Sequence, residues 1–278
     1  MPNHVSGKVI IITGAGSGFG RLTASMAASL GASVVVADVN LASAQETAES
    51  IVSSGGAAEA VEADVTDKEQ MDGVAELAVE RFGAIDVLVN NAGVMPLAFF
   101  ADHEIAWQAW SRAIDINIKG VVNGITAVYD QMITQGRGHV VNISSIYGNQ
   151  GTAGSAVYSA TKAAVITLSD ALRVETQGKI KVTVIRPTGV LGTGLGAGVL
   201  NPGAIMGLTG QNVMRFGERL QAWMGGSLSD AQRNVDDVEY WTLAPEDLAA
   251  QIIAVIDTPW GVTISDITVR ATGEDYIN

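Results

Sequence analysis

The stretch that decides the fold is Val9–Leu30, V-I-I-I-T-G-A-G-S-G-F-G-R-L-T-A-S-M-A-A-S-L. Its first four residues form a continuous apolar run, which predicts a short strand buried on both faces, as in a parallel sheet. The glycine-rich turn Thr13–Gly20 follows, and then a helix in which Leu22, Met26 and Leu30 recur every four residues. A strand, a glycine-rich turn and a helix in this order are what a phosphate-binding loop needs.

Three glycines of this turn have the spacing G-x-x-x-G-x-G, which differs from the strict G-x-G-x-x-G fingerprint. The three glycines can still play the physical roles that the fingerprint requires. Gly14 permits a tight turn, Gly18 lets backbone N–H groups approach a pyrophosphate, and Gly20 lets the helix pack closely. An ordinary glycine-rich loop can show the same spacing. The prediction of a phosphate-binding loop therefore depends on the position of this turn between a strand and a helix.

An acidic residue ends the second predicted strand, Ser33–Ala37. Asp38 lies roughly two dozen residues after Gly14, where a carboxylate accepts hydrogen bonds from the adenosine ribose hydroxyls and repels a 2′-phosphate. Neither Val39 nor Ser17 supplies a cation for such a phosphate. We therefore predict NAD rather than NADP as the cofactor, although an aspartate that merely caps the next helix gives the same pattern.

Short apolar runs and helical patterns alternate along the rest of the chain. This alternation predicts a Rossmann-type α/β fold, a doubly wound parallel sheet of about seven strands with helices on both faces. No linker, repeat or low-complexity segment interrupts it, so we predict a single domain over residues 1–278. The remaining predicted strands are Ala57–Glu62, Ile85–Val89, the run that leads into Ser145, Lys181–Ile185, and a last strand region at Val262–Ile264 and Ile267–Val269.

The segment Ser145–Lys162, S-I-Y-G-N-Q-G-T-A-G-S-A-V-Y-S-A-T-K, contains the candidate catalytic residues. Tyr158 and Lys162 are four residues apart, so they share one face of a helix. A lysine ammonium beside a phenol favours the phenolate, which lets a tyrosine of pKa about 10 act as an acid or base closer to neutral pH. Ser145 is expected at the carboxyl end of a strand, where open α/β sheets bind ligands. A core tyrosine and a surface lysine also give this spacing, so the surrounding motifs must decide.

A long amphipathic helix is predicted over Ser111–Gln135, with a second long helix over Val157–Thr176. Asn117 lies inside the first of them. Asparagine is a mediocre helix former, so its presence there calls for a specific role.

Composition excludes several classes of protein. The 278 residues are 47% hydrophobic and 16% charged, with a net charge of −13, which argues against a nucleic-acid surface and a basic membrane patch. There is no cysteine, and His4, His103 and His139 fall in no metal-binding motif, so we predict no metal site. No apolar stretch is long enough for a membrane span or forms a signal core, so we expect a cytoplasmic protein without a membrane partner.

The regular pattern breaks down over residues 192–240, which mix glycines with methionines and aromatic residues. Such a composition suits a mobile lid over an apolar ligand. It equally suits helices packed on the body of the protein or on another subunit. We describe the segment as a substrate-lid insertion at about 192–240 and leave both alternatives open.

Taken together, these motifs resemble those of the short-chain dehydrogenase/reductase family over nearly the full length of the chain. The thirteen-residue step to Tyr158 selects Ser145, rather than Ser144, as the match to the family's serine. The matching elements in chain order are Thr13-Gly14-xxx-Gly18-x-Gly20, Asp38, Asp64, Asn90-Asn91-Ala92-Gly93, Asn117, Ser145, Tyr158-xxx-Lys162 and Pro187.

The resemblance implies a role for each residue of a catalytic set. Tyr158 exchanges a proton with the substrate, and Lys162 lowers the pKa of Tyr158 and binds the nicotinamide ribose. Ser145 holds the substrate oxygen, and Asn117 seats a water in a proton relay. The family also implies cofactor contacts from Gly14, Ser17, Gly18, Phe19, Gly20, Asp38, Asp64, Val65, Asn91, Ala92, Gly93, Tyr158, Lys162, Pro187 and Val190.

The chain departs from the family pattern after the sixth predicted strand. The family has P-G-x-V-x-T there, whereas Pro187–Thr193 reads P-T-G-V-L-G-T. Thr188 therefore replaces a glycine and Gly192 replaces the threonine, so the threonine's role near the carboxamide is not carried over. The family further implies a homodimer or homotetramer built on the two long helices.

These observations predict an NAD-dependent alcohol dehydrogenase or carbonyl reductase that interconverts a secondary alcohol and its ketone. A lyase or epimerase on the same fold and a non-catalytic NAD-sensing protein are the alternatives. The expected walls of the substrate site are mostly apolar, which favours a hydrophobic, cyclic or aryl substrate. They are Val94, Met95, Pro96, Ile146, Tyr147, Gln150, Val190 and Leu191.

Overall fold

The structure is a computed structural model that describes residues 3–277. Its strands, in chain order, are β1 (Val9–Thr13), β2 (Ser33–Asp38), β3 (Ala57–Glu62), β4 (Val87–Asn90), β5 (Gly138–Ile143), β6 (Ile180–Pro187) and β7 (Asp266–Val269). They form one parallel sheet in the order β3-β2-β1-β4-β5-β6-β7. The order reverses between β1 and β4, and a crevice opens there at the carboxyl ends of the strands. The predicted doubly wound, Rossmann-type sheet is confirmed.

Helices cover both faces of this sheet. They are α1 (Gly18–Ser29), α2 (Leu41–Ser53), α3 (Lys68–Phe82), α4 (His103–Ile114), α5 (Gly120–Gln135), α6 (Ala156–Glu175), α7 (Ile205–Thr209), α8 (Val213–Met224), α9 (Asp230–Arg233) and α10 (Pro245–Ile256). Strand β1 shows why both faces need cover. Ile10 and Ile12 pack with α1, α2 and α10, whereas Val9 and Ile11 pack with α3 and α5. Successive side chains of a strand point to opposite faces, so an unbroken apolar run needs helices on both sides.

A buried polar chain ties the centre of the sheet to α6. Asn90 of β4 donates its side-chain amide to Asn142 of β5 over 2.8 Å, and Asn142 donates to the Ser169 hydroxyl of α6 over 2.8 Å. Buried polar groups are costly unless they are paired, so these bonds favour one register of β4, β5 and α6. The loops that follow β4 and β5 are thereby held beside the start of α6.

Three predicted boundaries were wrong. The first long helix begins at His103, not Ser111, and contains a π-helical turn over Asp115–Lys119. A π-helical turn has i→i+5 hydrogen bonds and so adds one residue to a turn of the helix. Such turns often occur at functional sites. Strand β4 begins at Val87 rather than Ile85, and residues 262–264 lie outside any strand.

Residues 192–240 contain the helices α7, α8 and α9, with 3-10 turns and loops between them. Helix α8 packs through Phe216 on Leu228 and the buried Trp241. Whether the segment opens and closes as a lid stays a prediction, as does the single domain over the whole chain.

Within residues 3–277, no helix is long and apolar enough to cross a membrane. The same residues bring together no group of three or more His, Asp or Glu side chains that is suited to a metal ion.

Candidate functional site

The loop after β4 is hydrogen-bonded to the glycine turn after β1. The Thr13 hydroxyl accepts from the backbone N–H groups of Asn91 and Ala92 over 3.0 and 3.1 Å. The Asn91 side chain donates back to the carbonyls of Thr13 and Gly14 over 2.8 and 3.1 Å. Two predicted cofactor-binding motifs are therefore one connected structure at the carboxyl edge of the sheet. The sequence analysis missed Thr13 as the residue that joins them.

The glycines of the turn are required by its geometry. Gly14 has a φ of +64°, in the left-handed region that favours glycine. A Cβ on Gly20 would overlap the Gly14 carbonyl oxygen and lie 2.5 Å from the Asn91 side-chain nitrogen. Helix α1 therefore starts in direct contact with the loops after β1 and β4, and its N-terminal N–H groups point into the crevice. Ser17 precedes the first turn of α1, and Phe19 packs on the adjacent core.

Asp38 lies at the end of β2 against the glycine turn. Its carboxylate accepts from the backbone N–H of Gly16 over 2.8 Å and from that of Asn40 over 2.9 Å. A Cβ on Gly16 would lie 2.9 Å from the same carboxylate, so Gly16 is a further required glycine that the sequence analysis missed. Arg21 on α1 is a nearby cation that was also missed. It donates to the Gly16 carbonyl over 2.9 Å and lies 3.4 Å from the Glu46 carboxylate.

Asp64 and Thr66 border a recess of about 350 Å³ between the β3–α3 loop and α4. The Asp64 carboxylate accepts from the backbone and hydroxyl of Thr66 over 2.9 and 2.8 Å, which fixes its orientation. Val65 is buried, and its carbonyl accepts from the Asn123 side chain over 2.8 Å. The contact of Asp64 and Val65 with an adenine ring stays a prediction.

Ser145, Tyr158 and Lys162 come together in a buried cluster. Tyr158 and Lys162 are only 4% and 6% exposed, and their helix, α6, starts at the loop after β5. The Ser145 hydroxyl accepts from the Tyr147 N–H over 3.2 Å. The Lys162 ammonium lies 5.9 Å from the centre of the Tyr158 ring and donates to the Ile143 carbonyl over 2.9 Å.

Burial controls the protonation of this cluster. It raises the pKa of Tyr158 to about 12, and the hydrogen bond from Ser145 acts in the opposite direction. Burial also lowers the pKa of Lys162 to about 8. That Lys162 lowers the pKa of Tyr158 stays a prediction. The ammonium is directed to the Ile143 carbonyl, and the loss of water around the phenol dominates.

Asn117 occupies the π-helical turn and is buried. Its side chain accepts from the Val94 N–H over 3.0 Å and donates to the Val94 carbonyl over 2.9 Å and to the Thr161 hydroxyl over 3.0 Å. The side chain therefore anchors the loop after β4 to α6. The family resemblance also implies that Asn117 seats a relay water, and that role stays a prediction.

The remaining candidates lie around the same crevice. A Cβ on Gly93 would approach the Asn117 side-chain oxygen to 3.3 Å and the Lys162 ammonium to 3.4 Å. Pro187 ends β6, and Val190 forms an isolated bridge with Leu243.

Two further hydroxyl residues, Ser144 and Thr193, lie near the crevice. The Ser144 hydroxyl donates to the Lys162 carbonyl over 2.8 Å. The Thr193 methyl would lie 3.9 Å from a Cβ on Gly18, so Thr193 faces the glycine turn. Neither contact follows from local sequence, because each joins segments far apart in the chain.

Part of the predicted substrate wall lies against Tyr158. Ile146, Tyr147 and Met95 belong to the apolar cluster around this tyrosine, together with Leu97 and Leu208. Leu191 instead packs with Phe216 and Trp241, Pro96 is buried, and Gln150 is exposed.

These residues fit a dinucleotide. The crevice is lined by glycines at which a Cβ would fill the space or strike a neighbour, and the Asn91 side-chain oxygen is buried without a hydrogen-bond partner among residues 3–277. A buried polar atom in this state needs a partner, which a polar ligand in the crevice can supply.

Comparison with known proteins gives a consistent picture. A family model described as short chain dehydrogenase matches residues 8–201. An uncharacterised oxidoreductase of Listeria innocua is 33% identical over 98% of this chain and 99% of its own length.

Two solved structures share the fold and more than a quarter of the aligned residues. A 7α-hydroxysteroid dehydrogenase complexed with NADH and 7-oxo glycochenodeoxycholic acid has a TM-score of 0.79 and 26% identity, covering 99% of this chain and 97% of its own. A metagenomic short-chain oxidoreductase in complex with NADP has a TM-score of 0.71 and 26% identity, covering 97% of this chain and 99% of its own.

The close contact at Gly20 gives a prediction for stability. Gly20→Ala is expected to lower the free energy of unfolding by about 1–3 kcal/mol, because the methyl group forces α1 away from the Gly14 carbonyl. The control is Gly73→Ala on α3, where a Cβ meets nothing within 4 Å. This substitution should raise stability by about 0.5–1 kcal/mol through helix propensity. Urea denaturation measures both, and equal effects of the two substitutions would contradict the packing argument.

Proposed function

The chain belongs to the short-chain dehydrogenase family, and we propose that within it the protein is an NAD-dependent oxidoreductase that interconverts a secondary alcohol and its ketone. The observation that carries this proposal is the burial of Tyr158 and Lys162, one helical turn apart on α6 and beside Ser145 at the end of β5. These groups lie at the carboxyl edge of β5, beside a crevice that fits a dinucleotide. A nicotinamide bound there supplies the hydride chemistry.

The protein's own contribution is proton transfer and positioning. Tyr158 takes the hydroxyl proton from an alcohol or returns it to a ketone oxygen, and Ser145 hydrogen-bonds to the same oxygen. Lys162, with a pKa of about 8, is largely charged at neutral pH and stabilises negative charge on the nearby phenol. Asn117 positions the group by joining the Val94 backbone to Thr161 of α6.

We propose NAD as the cofactor on the basis of Asp38. Its carboxylate caps the glycine turn on the side where the adenosine ribose is expected, and a 2′-phosphate would lie against a negative charge. Arg21 is directed to the Gly16 carbonyl and Glu46 rather than left to bind a phosphate. The glycine turn, Asp64, Val65, the Asn91–Gly93 loop, Pro187 and Val190 are the proposed remaining contacts.

The proposed substrate is a hydrophobic, cyclic or aryl alcohol. Apolar side chains surround Tyr158, and the arginines of residues 192–240 are engaged elsewhere. Arg215 and Arg219 pair with Asp275, and Arg233 pairs with Asp230, so no cation of this set is directed at a substrate anion. The similarity to a dehydrogenase whose complex holds a polycyclic ketone supports the same class.

A homodimer or homotetramer and a cytoplasmic location stay predictions. Exposed apolar side chains on the two long helices, Ile114, Val122 and Val174, are compatible with an interface between subunits.

Tyr158→Phe tests the proton transfer. With NAD and a panel of cyclic and aryl secondary alcohols, the wild type should form reduced nicotinamide, and Tyr158→Phe should lower kcat by about 10²–10⁴ because the general base is lost. The control is Tyr129→Phe on α5, away from the site, which should keep full activity. Turnover by Tyr158→Phe at the wild-type rate would show that another group moves the proton. Turnover of a substrate with no net change in the nicotinamide would indicate the lyase or epimerase alternative.

The pH dependence follows from the raised pKa of Tyr158. Oxidation requires the phenolate, whose fraction grows about tenfold per pH unit below the pKa of about 12. We therefore expect kcat/KM for alcohol oxidation to rise from pH 6 to about 9, whereas kcat/KM for ketone reduction, which uses the protonated phenol, should not rise. Initial rates in both directions measure this, and an oxidation rate that falls with increasing pH would contradict the assignment.

Asp38→Asn tests the cofactor preference. The amide keeps an oxygen that accepts from the Gly16 N–H but removes the negative charge, so the NADP/NAD ratio of kcat/KM should rise at least about tenfold. Asp72→Asn, an exposed aspartate on α3, is the matched control and should leave the ratio unchanged. A wild type that already prefers NADP would show that Asp38 does not exclude the 2′-phosphate.

A further inference from the structure

The segment that follows β7 returns to the candidate active site. Glu274 contacts the loop after β6, Asp275 contacts α8 and Trp241, and Tyr276 contacts the apolar cluster around Tyr158. Glu274 accepts from the Thr188 hydroxyl over 2.5 Å and from Arg270 over 2.7 Å. Thr188 is the residue that replaces the glycine of the family pattern after β6. This departure therefore has a structural purpose, since the threonine binds the returning segment to the loop after β6.

Asp275 fastens the same segment to α8. Its carboxylate is fully buried and accepts from Arg215 over 2.5 Å, from Arg219 over 3.1 Å and from the Trp241 indole over 2.9 Å. A buried carboxylate is stable only with several such partners, and here they come from α8 and the strand-like segment before α10. The backbone on either side of Asp275 is therefore held at one position.

Tyr276 is placed by these two anchors against the catalytic cluster. Its ring lies 6.4 Å from that of Tyr147 at an interplanar angle of 79° and 5.6 Å from that of Phe216. The Tyr147 hydroxyl is in turn held by the Leu208 carbonyl over 3.1 Å, so the neighbouring ring is fixed. The apolar cluster that contains Tyr158 also contacts Tyr276.

The Tyr276 ring packs directly against Gly189 in the loop after β6. A Cβ at this position would overlap the hydroxyl and ring of Tyr276, so the loop after β6 and the returning segment pack without space for even one methyl group. Thr188 therefore hydrogen-bonds to Glu274, and Gly189 leaves the space that the Tyr276 ring occupies. Within residues 3–277, the Tyr276 hydroxyl makes no hydrogen bond, so the contact depends on the ring.

We propose that Tyr276 is a specificity-determining residue, whose ring forms the substrate-side wall beside Tyr147 and limits the width of the alcohol that reaches Tyr158. This inference rests on the proposed function. Glu274 and Asp275 are positioning residues that hold the ring in place. A rigid aromatic wall excludes a wider substrate because it cannot move without breaking the Thr188 and Asp275 contacts.

The test compares a narrow and a wide alcohol, cyclohexanol and decahydro-2-naphthol, in the presence of NAD. Tyr276→Ala should raise the ratio of kcat/KM for the wide alcohol over the narrow one at least about tenfold, the size typical of pocket contacts. Tyr276→Phe keeps the ring and should change the ratio less than about threefold, because only the hydroxyl is lost. Tyr276→Leu is measured beside them, since it keeps an apolar contact with Phe216 and should move the ratio in the direction of Tyr276→Ala.

The matched control is Trp260→Ala, which removes an aromatic ring that contacts Lys8 and Arg137, outside both residues 192–240 and the Tyr276 contact. It should leave the ratio unchanged, and calorimetric NAD binding should be the same in all variants. An unchanged ratio in both Tyr276→Ala and Tyr276→Leu would overturn the inference while leaving the proposed function intact.

Binding without turnover separates the two proposals. The rise in melting temperature caused by each alcohol with NAD present is measured for the same variants. If the wild type oxidises neither alcohol but Tyr276→Ala reverses their order of binding, the proposed reaction is wrong and the specificity role stands. If neither alcohol is oxidised nor changes any melting temperature, both proposals are wrong.

Discussion

The structure depends on one constraint, the parallel alignment of β1, β4, β5 and β6 with their carboxyl ends at a common edge. Parallel strands cannot be joined by tight hairpins, so each is followed by a loop and a helix that returns across a face of the sheet. The loops therefore meet at one edge although they are far apart in sequence. The Thr13–Asn91 bonds and the Asn90–Asn142–Ser169 chain keep those loops in register.

The same arrangement buries the candidate catalytic groups, and burial shifts their pKa values. Removing water from Tyr158 raises its pKa and removing it from Lys162 lowers its pKa, so both groups are pushed towards their neutral forms. In that environment, a charge that develops on the substrate oxygen interacts strongly with nearby dipoles and with the lysine. Asn117 supports this arrangement by anchoring the Val94 loop to α6, beside the residues that change charge.

Several elements were predictable from local pattern. The predicted bounds of β3, Ala57–Glu62, agree with the structure, because Gly55 and Gly56 mark the start of the strand. The start of α4 and the π-helical turn at Asn117 were not, since a helical period of apolar residues does not register one inserted residue. For residues 192–240 the sequence left a mobile lid and packed helices as equal alternatives. The glycines of this segment lower helix propensity, and contacts with Trp241 and Asp275 compensate.

The sequence by itself determined the sheet, the glycine turn and the order of the candidate catalytic residues, because these depend on short-range periodicity and on fixed spacings along the chain. Only the tertiary structure decided that Lys162 donates to the Ile143 carbonyl, that Asn117 serves as an anchor and that Thr188 binds Glu274. It also decided that Tyr276 lies against Gly189. Each of these contacts joins residues from separate elements, and the direction of a buried polar side chain depends on which partners the fold brings within hydrogen-bonding distance.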